Sequence, residues 1–154
     1  MRRRNKILLV LLIILGAIQF IQPARNKNGQ TSPTDISRVY AVPPSVQAIL
    51  QKACYDCHSS NTQYPWYSFI QPGAWWMASH IKRGKQDLNF SEFGGYSGRR
   101  QQSKLKSIAN SITDGTMPLP SYSFLHRNAR LSEGEKEMLV NWTRKITDSL
   151  QATK

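Results

Sequence analysis

Residues 53–60 read "ACYDCHSS": two cysteines three positions apart, with a histidine directly after the second. They are the chain's only 2 cysteines, so any chemistry they carry they carry together. No other stretch constrains the fold as tightly, because each use of C-x-x-C-H demands a different setting. A thiol redox couple needs a strand–turn–helix context with the first cysteine at a helix start. Here the preceding "PPSVQAILQKA" has Pro43 and Pro44 at a helix start, then Val46, Ile49, Leu50 and Ala53 at helical spacing. The cysteines therefore fall at a helix end, with no strand before them. Zinc takes four ligands, often from two separate pairs, and only His80 and His126 remain as further nitrogen donors. A Cys54–Cys57 disulfide stapling a structural domain is tight but geometrically open. The fourth use is covalent attachment of a c-type haem. Two cysteines one helical turn apart reach the two vinyl groups on one porphyrin edge, and the histidine next in line, His58, ligates the iron from the proximal side.

The N-terminus bears on this choice. "MRRRNK" is a basic head, followed by "ILLVLLIILGAIQFI", an apolar run from Ile7 to Ile21 interrupted by Gln19. As a helix, this run is roughly 22 Å long, short of a hydrocarbon core of roughly 30 Å. It reads as a signal-anchor or as the apolar region of a cleaved secretory signal. A cut after Ala24 would put Gln22 where a small residue is wanted, and no cysteine follows the run to carry a lipid. Either way the basic head stays in the cytoplasm and the remainder is exported. Haem of the c type is attached outside the cytoplasm, so export strengthens the haem reading.

The formal net charge of +12 is concentrated in this segment. Residues 1–27 hold 6 basic and no acidic residues, leaving 15 basic and 9 acidic, or +6, for the rest. That excess is spread over several segments, with "IKRGK" and "GRRQQSKLK" the densest. Nucleic acid is not an expected partner. A basic face toward an acidic redox partner or anionic lipid heads is compatible with it, as is a merely solvated face.

Residues 22–42 are polar and rich in turn formers, with no helical or strand period, and read as a linker. Beyond them, "AWWMASHIKRGK" predicts a second helix in which Trp76 and His80 share a face. A third spans roughly 99–113, with Leu105, Ile108, Ala109 and Ile112 as one stripe and Gly115 ending it. "SEGE" (132–135) matches a capping box. The helix behind it carries Met138, Leu139, Trp142, Ile146 and Leu150 on one side. "SNTQYPWYSFIQPG", "NFSEFGGYSG" and "TMPLPSYSFLHRNAR" read as loops. No alternating strand and no repeat is evident, so the class is all-α. So few short helices make a thin core, and a bulky apolar group at its centre would find many wrapping candidates: Trp66, Trp75, Trp76, Trp142, Phe69, Tyr64 and Tyr67.

A c-type iron usually has a sixth ligand, and Met117 in "DGTMPLPSY" supplies one candidate, a soft thioether of the kind that raises a reduction potential. His80 is the alternative, and an open sixth site is a third. His126 reads as a loop or propionate-side residue. Arg127, Arg130 and Lys82 are candidate propionate partners, although solvated basic side chains are the default.

The segments "CYDCHSSNTQYPWYSFIQP", "WWMASHIKRGKQDLNFSEF", "KLKSIANSITDGTMPLPSY" and "HRNARLSEGEKEMLVNW" resemble, in order, the haem-binding domain family of small exported bacterial proteins. "GTMP" is similar to the distal methionine loop of single-haem cytochromes c. The resemblance implies haem bound through Cys54, Cys57 and His58, and it keeps His80 as a ligand candidate. It does not fix a reaction or a partner protein.

The expectation is an N-terminal signal-anchor or signal peptide (1–24), a linker (25–42) and a cytochrome c-like domain (43–150). That domain would be three to four short helices around one covalent haem c, facing the periplasm at the inner membrane. It would pass electrons by outer-sphere transfer to redox partner proteins, a carrier rather than an enzyme. Cys54 and Cys57 would hold the porphyrin, and His58 and Met117 would ligate iron. Two alternatives stand beside it. One is a haem sensor or peroxidase-like enzyme with an open sixth site and His80 or Arg83 over the distal face. The other is a structural domain with the Cys54–Cys57 disulfide.

Overall fold

The computed structural model describes residues 3–152; Met1 and Arg2 of the basic head lie outside the described residues. The first element, α1 (Arg3–Ile18), is a 16-residue helix with no buried residue. No helix among the described residues is long and apolar enough to cross a membrane. A short turn at Gln19–Ile21 closes it. The next segment then lies along the domain, with an isolated bridge between Lys27 and Asn61 and no longer strand among the described residues.

The polar segment before Pro43 contributes more than its composition suggests. Asp35 caps a four-residue helix, α2 (Ile36–Val39), accepting hydrogen bonds from the Ser37 amide and hydroxyl. Ile36 is fully buried in the core. A helix of barely one turn is too short to show a period, so its buried face leaves no pattern in the sequence.

Among the described residues seven helices follow α1, more than the three or four expected: α2, α3 (Pro44–Ala53), α4 (Tyr55–His58), α5 (Gly73–Asp87), α6 (Gly98–Thr113), α7 (Pro120–Leu125) and α8 (Glu133–Ala152). Three 3₁₀ turns join them, at Trp66–Phe69, Phe90–Gly95 and Arg127–Ala129. Of the extra elements, α2 falls in the stretch that reads as a linker, α7 and the three 3₁₀ turns fall in stretches that read as loops, and α4 is the single turn at the cysteines. The proline-rich stretch after Met117 contains α7, started by Pro120, whose missing N–H costs nothing at the first helical position.

The long helices follow their sequence signals. Ser97 caps α6, and Leu105, Ile108, Ala109 and Ile112 are all buried on its inner face. Gly115, at φ +67°, ends the helix in the left-handed region that glycine adopts without strain. The capping box at α8 forms in both directions: the Ser132 amide donates to Glu135 Oε2 at 2.9 Å and the Glu135 amide donates back to Ser132 Oγ at 3.3 Å. Glu135 also pairs with Lys52 on α3, stitching the two helices. The buried face of α8 is Leu139, Val140, Trp142, Thr143, Ile146 and Thr147, so Met138, expected on that face, is rotated outward and Val140 takes the inner position.

Helices α6 and α8 pack along each other, and α3 closes over α8. Phe90 and Phe93 of the second 3₁₀ turn fill the middle, with Tyr40, Tyr55 and Tyr96 around them. Burying such a side chain is worth roughly 1.5–3 kcal/mol. Of the aromatics expected to wrap a central group, only Trp142 is buried. Trp66, Phe69, Trp75 and Trp76 are exposed. The centre is thus protein, and the cysteine turn stands at its edge. Glycines in "NFSEFGGYSG" make that stretch look like a surface loop, and burial of its phenylalanines depends on contacts far along the chain.

Candidate functional site

Helix α3 ends at Ala53, and Cys54 is its cap. The Cys54 carbonyl then accepts the amides of both Cys57 (3.2 Å) and His58 (2.9 Å), which winds residues 55–58 into the single turn α4. That turn presses on α5. A Cβ added to Gly84 would sit 2.7 Å from the Cys57 carbonyl oxygen and 3.2 Å from Cys57 Cβ, so only glycine lets the two helices approach this closely.

The approach has a chemical consequence. His58 Nδ1 lies 3.0 Å from the Gly84 carbonyl and 3.0 Å from the Leu88 carbonyl, both at the C-terminal end of α5. Carbonyls only accept, so Nδ1 carries the proton, and Nε2 is left with its lone pair free to bind a metal. Phe90 stands edge-on to the imidazole, ring centroids 6.3 Å apart. Metal-binding histidines are commonly oriented in this way, the far nitrogen donating to a backbone carbonyl so that the other points at the metal.

Two adjoining cavities open beside this turn. The larger, about 230 Å³, is lined by Cys57, His58, His80, Arg83, Met117 and Tyr122, among others. The smaller, about 80 Å³, is lined by Cys54, His58, Phe90, Lys104, Ile108 and Met117, among others. His58 and Met117 line both. The structure therefore brings all five sequence-predicted residues, Cys54, Cys57, His58, Met117 and His80, to one place. Met117 reaches it on a turn whose amide, like that of Thr116, donates to the Ser111 carbonyl. His80 Nδ1 is 2.9 Å from the Trp76 carbonyl, and its ring packs at a tilt against the Trp76 ring, centroids 4.2 Å apart.

Both thiols are free. Burial pushes Cys54 up to about 12, with the neighbouring Cys57 adding to the effect. Burial likewise raises Cys57 to about 11, with Asp56 adding to it. Thiols held this far above neutrality are poor thiolates, which is the reverse of what a redox couple requires.

Other expected residues fall elsewhere. His126 bonds to the Tyr67 hydroxyl and stacks on Tyr122 at 4.3 Å, on a face that includes neither cysteine. Lys82 lines a separate groove with Lys85 and Arg100, and the Arg130 Nε donates to the Ser123 carbonyl. Neither Arg127 nor Arg130 lines the two cavities, where the cations are Arg83 and Lys104. Lys104 is also paired with Asp87 at 2.7 Å. The sequence reasoning missed Gly84 and Leu88, which act through backbone atoms. A glycine inside an otherwise regular helical stretch was the available signal. It also missed Asp56, which accepts from the Tyr122 hydroxyl at 2.7 Å and the Gln63 amide at 2.9 Å, bracing the cysteine turn.

The sequence pattern of the family described as a haem-binding domain matches residues 13–145. This chain belongs to that family. As a haem-binding domain it binds haem, and the donor set around His58 fits that ligand: one imidazole with a committed Nδ1–H, two thiols within the same turn, and an apolar cavity carrying a thioether. The match begins within α1 and takes in the whole polar segment before Pro43, in keeping with the burial of Ile36. No curated protein and no solved structure matches this haem-binding domain.

Proposed function

We propose that this haem-binding domain attaches one haem covalently, in the c-type manner, and serves as an electron carrier on the periplasmic side of the inner membrane. The observation that carries the reading is His58 within C-x-x-C-H, its Nδ1–H committed to the Gly84 and Leu88 carbonyls and its Nε2 left as a donor. Cys54 and Cys57 would hold the porphyrin edge, and His58 would ligate the iron. Met117 would be the sixth ligand, since it lines both cavities together with His58, whereas His80 lines one and is tied to Trp76. When bound, haem supplies a one-electron Fe(II)/Fe(III) couple, and a thioether ligand raises its potential. The chain's own part is to fix the ligands, keep water from the apolar wall and present one edge to unidentified redox partner proteins. The basic head of α1, with Arg3, Arg4 and Lys6, would stay in the cytoplasm while α1 holds the domain at the membrane.

A second reading, a haem sensor or peroxidase-like site with an open sixth position, is favoured by one observation: His80 and Arg83 line the same cavity as His58. The two separate cleanly. Full-length chain exported by a host with the haem-attachment machinery should carry the mass of one haem, no alkylatable thiol and a low-spin spectrum with sulfur as sixth ligand. Five-coordinate ferrous haem that binds carbon monoxide readily would select the second reading. A bare polypeptide mass would refute covalent attachment altogether.

A further inference from the structure

We propose that a collar of exposed aromatic side chains around the foot of α1 sinks into the interfacial layer of the bilayer, so that the domain sits on the lipid surface in one orientation. This rests on the reading that α1 anchors the chain in the membrane. Helix α1 is apolar on every side from Ile7 to Leu15, each side chain is 48–65% exposed, and none is covered by protein. A helix with no polar face is a buried or lipid-embedded helix, and here no protein buries it. At 16 residues it spans about 24 Å, roughly 6 Å less than a hydrocarbon core. The missing apolar surface continues directly below it. Phe20 and Ile21 are exposed, and beside them lie Phe69, Ile70 and Trp75.

The foot of α1 is fastened to these residues. Gln19 and Gln71 exchange hydrogen bonds through side chain and backbone at 2.9 and 3.3 Å. Gln22 Nε2 donates to the Phe69 carbonyl at 3.0 Å. Gln71 Nε2 (2.7 Å) and the Trp75 indole N–H (3.0 Å) both donate to the Ile21 carbonyl. Trp66 is 76% exposed, Phe69 54% and Trp76 52%. Large aromatics with an exposed ring settle at headgroup depth, and Trp75, whose indole N–H is satisfied by the Ile21 carbonyl, ties this group to the foot of α1. Arg25 lies over the Phe69 ring, 3.9 Å from its centroid, placing a cation where lipid phosphates would be. An apolar cluster of this size on a soluble face marks an interaction surface, and its continuity with an uncovered apolar helix selects lipid over protein. Trp76 also packs against His80 at the larger cavity, so the collar would fix the cavity at a constant height above the bilayer.

The test is hydroxyl-radical footprinting of the full-length chain in phosphatidylcholine nanodiscs, preceded by an alkaline wash and flotation. Floating chain shows that α1 anchors it. Relative to the same chain in its urea-unfolded state, Trp66, Phe69 and Trp76 should then be oxidised severalfold more slowly, while Met138 on α8 keeps most of its reactivity. Flotation with these three residues oxidised freely would overturn the collar and leave the anchor standing. Failure to float would overturn both. Protection that disappears when discs outnumber chains, so that each holds one copy, would assign the face to a second copy of the chain and also overturn the proposal.

Discussion

The Nδ1 of His58 is held by two backbone carbonyls at the end of α5, which leaves Nε2 as the nitrogen a metal could reach. Those carbonyls lie at the negative end of the α5 dipole and fix the orientation of the ring. Replacing His58 with alanine should abolish the low-spin haem spectrum, and a wild-type spectrum from His58→Ala would refute the proposed ligand. The thiols give a second expectation, for chain made without haem. Both folded-state values, about 12 for Cys54 and about 11 for Cys57, lie above the roughly 8.5 of a free thiol. The folded chain therefore holds protons that the unfolded chain releases. The resulting stability is complete below the unfolded value and is lost as pH rises through about 9 toward 11–12. The urea midpoint of the haem-free chain should fall over that interval, and Cys54→Ser/Cys57→Ser should lose the part of the slope that belongs to the thiols, leaving that of the raised Tyr40, Tyr55, Tyr67 and Tyr122 hydroxyls.

Between α4 and α5 the decisive contact is one missing methyl. In an exposed helix interior, glycine to alanine gains about 0.5–1 kcal/mol. At Gly84 the added carbon meets the Cys57 carbonyl at 2.7 Å, so overpacking, which costs typically 1–3 kcal/mol, outweighs that gain. Gly84→Ala should lower the denaturation midpoint and also shift the haem absorption, because moving α5 stretches the hydrogen bonds to His58. A purely structural glycine would change the first reading and leave the second alone. Helix α8 offers a simpler case. Ser132→Ala removes the acceptor for the Glu135 amide and should cost about 1 kcal/mol in chemical denaturation with no spectral change. Lys52, across on α3, still pairs with Glu135, so the two helices stay joined.

The domain is small enough that its core depends on a few side chains, and Phe90 joins the core to the site. It stacks on Tyr55 at 5.4 Å and stands against His58. Phe90→Ala should cost about 3–5 kcal/mol, a large share of the 5–15 kcal/mol that holds a typical domain, and should reduce haem loading along with the melting temperature. Several features of this molecule were legible in its sequence because they are local. The C-x-x-C-H spacing lies within one turn, the α6 stripe is a helical period, and the capping box joins residues three apart. Each is set by neighbours along the chain, so the pattern is written where the structure forms. Ile36, Phe90 and Phe93 entered the core from stretches that look like linker and loop, and Trp66, Phe69 and Trp76 stayed outside it. The pairing of His58 with the Gly84 and Leu88 carbonyls spans 26 and 30 residues. Burial and backbone contacts of that range follow from how α4, α5 and the second 3₁₀ turn meet, and no residue's identity announces where a distant carbonyl will lie. Local spacing was enough to put two thiols and an imidazole on one turn, whereas the commitment of Nδ1 rather than Nε2 of His58 to hydrogen bonding came from the packing of α4 against α5.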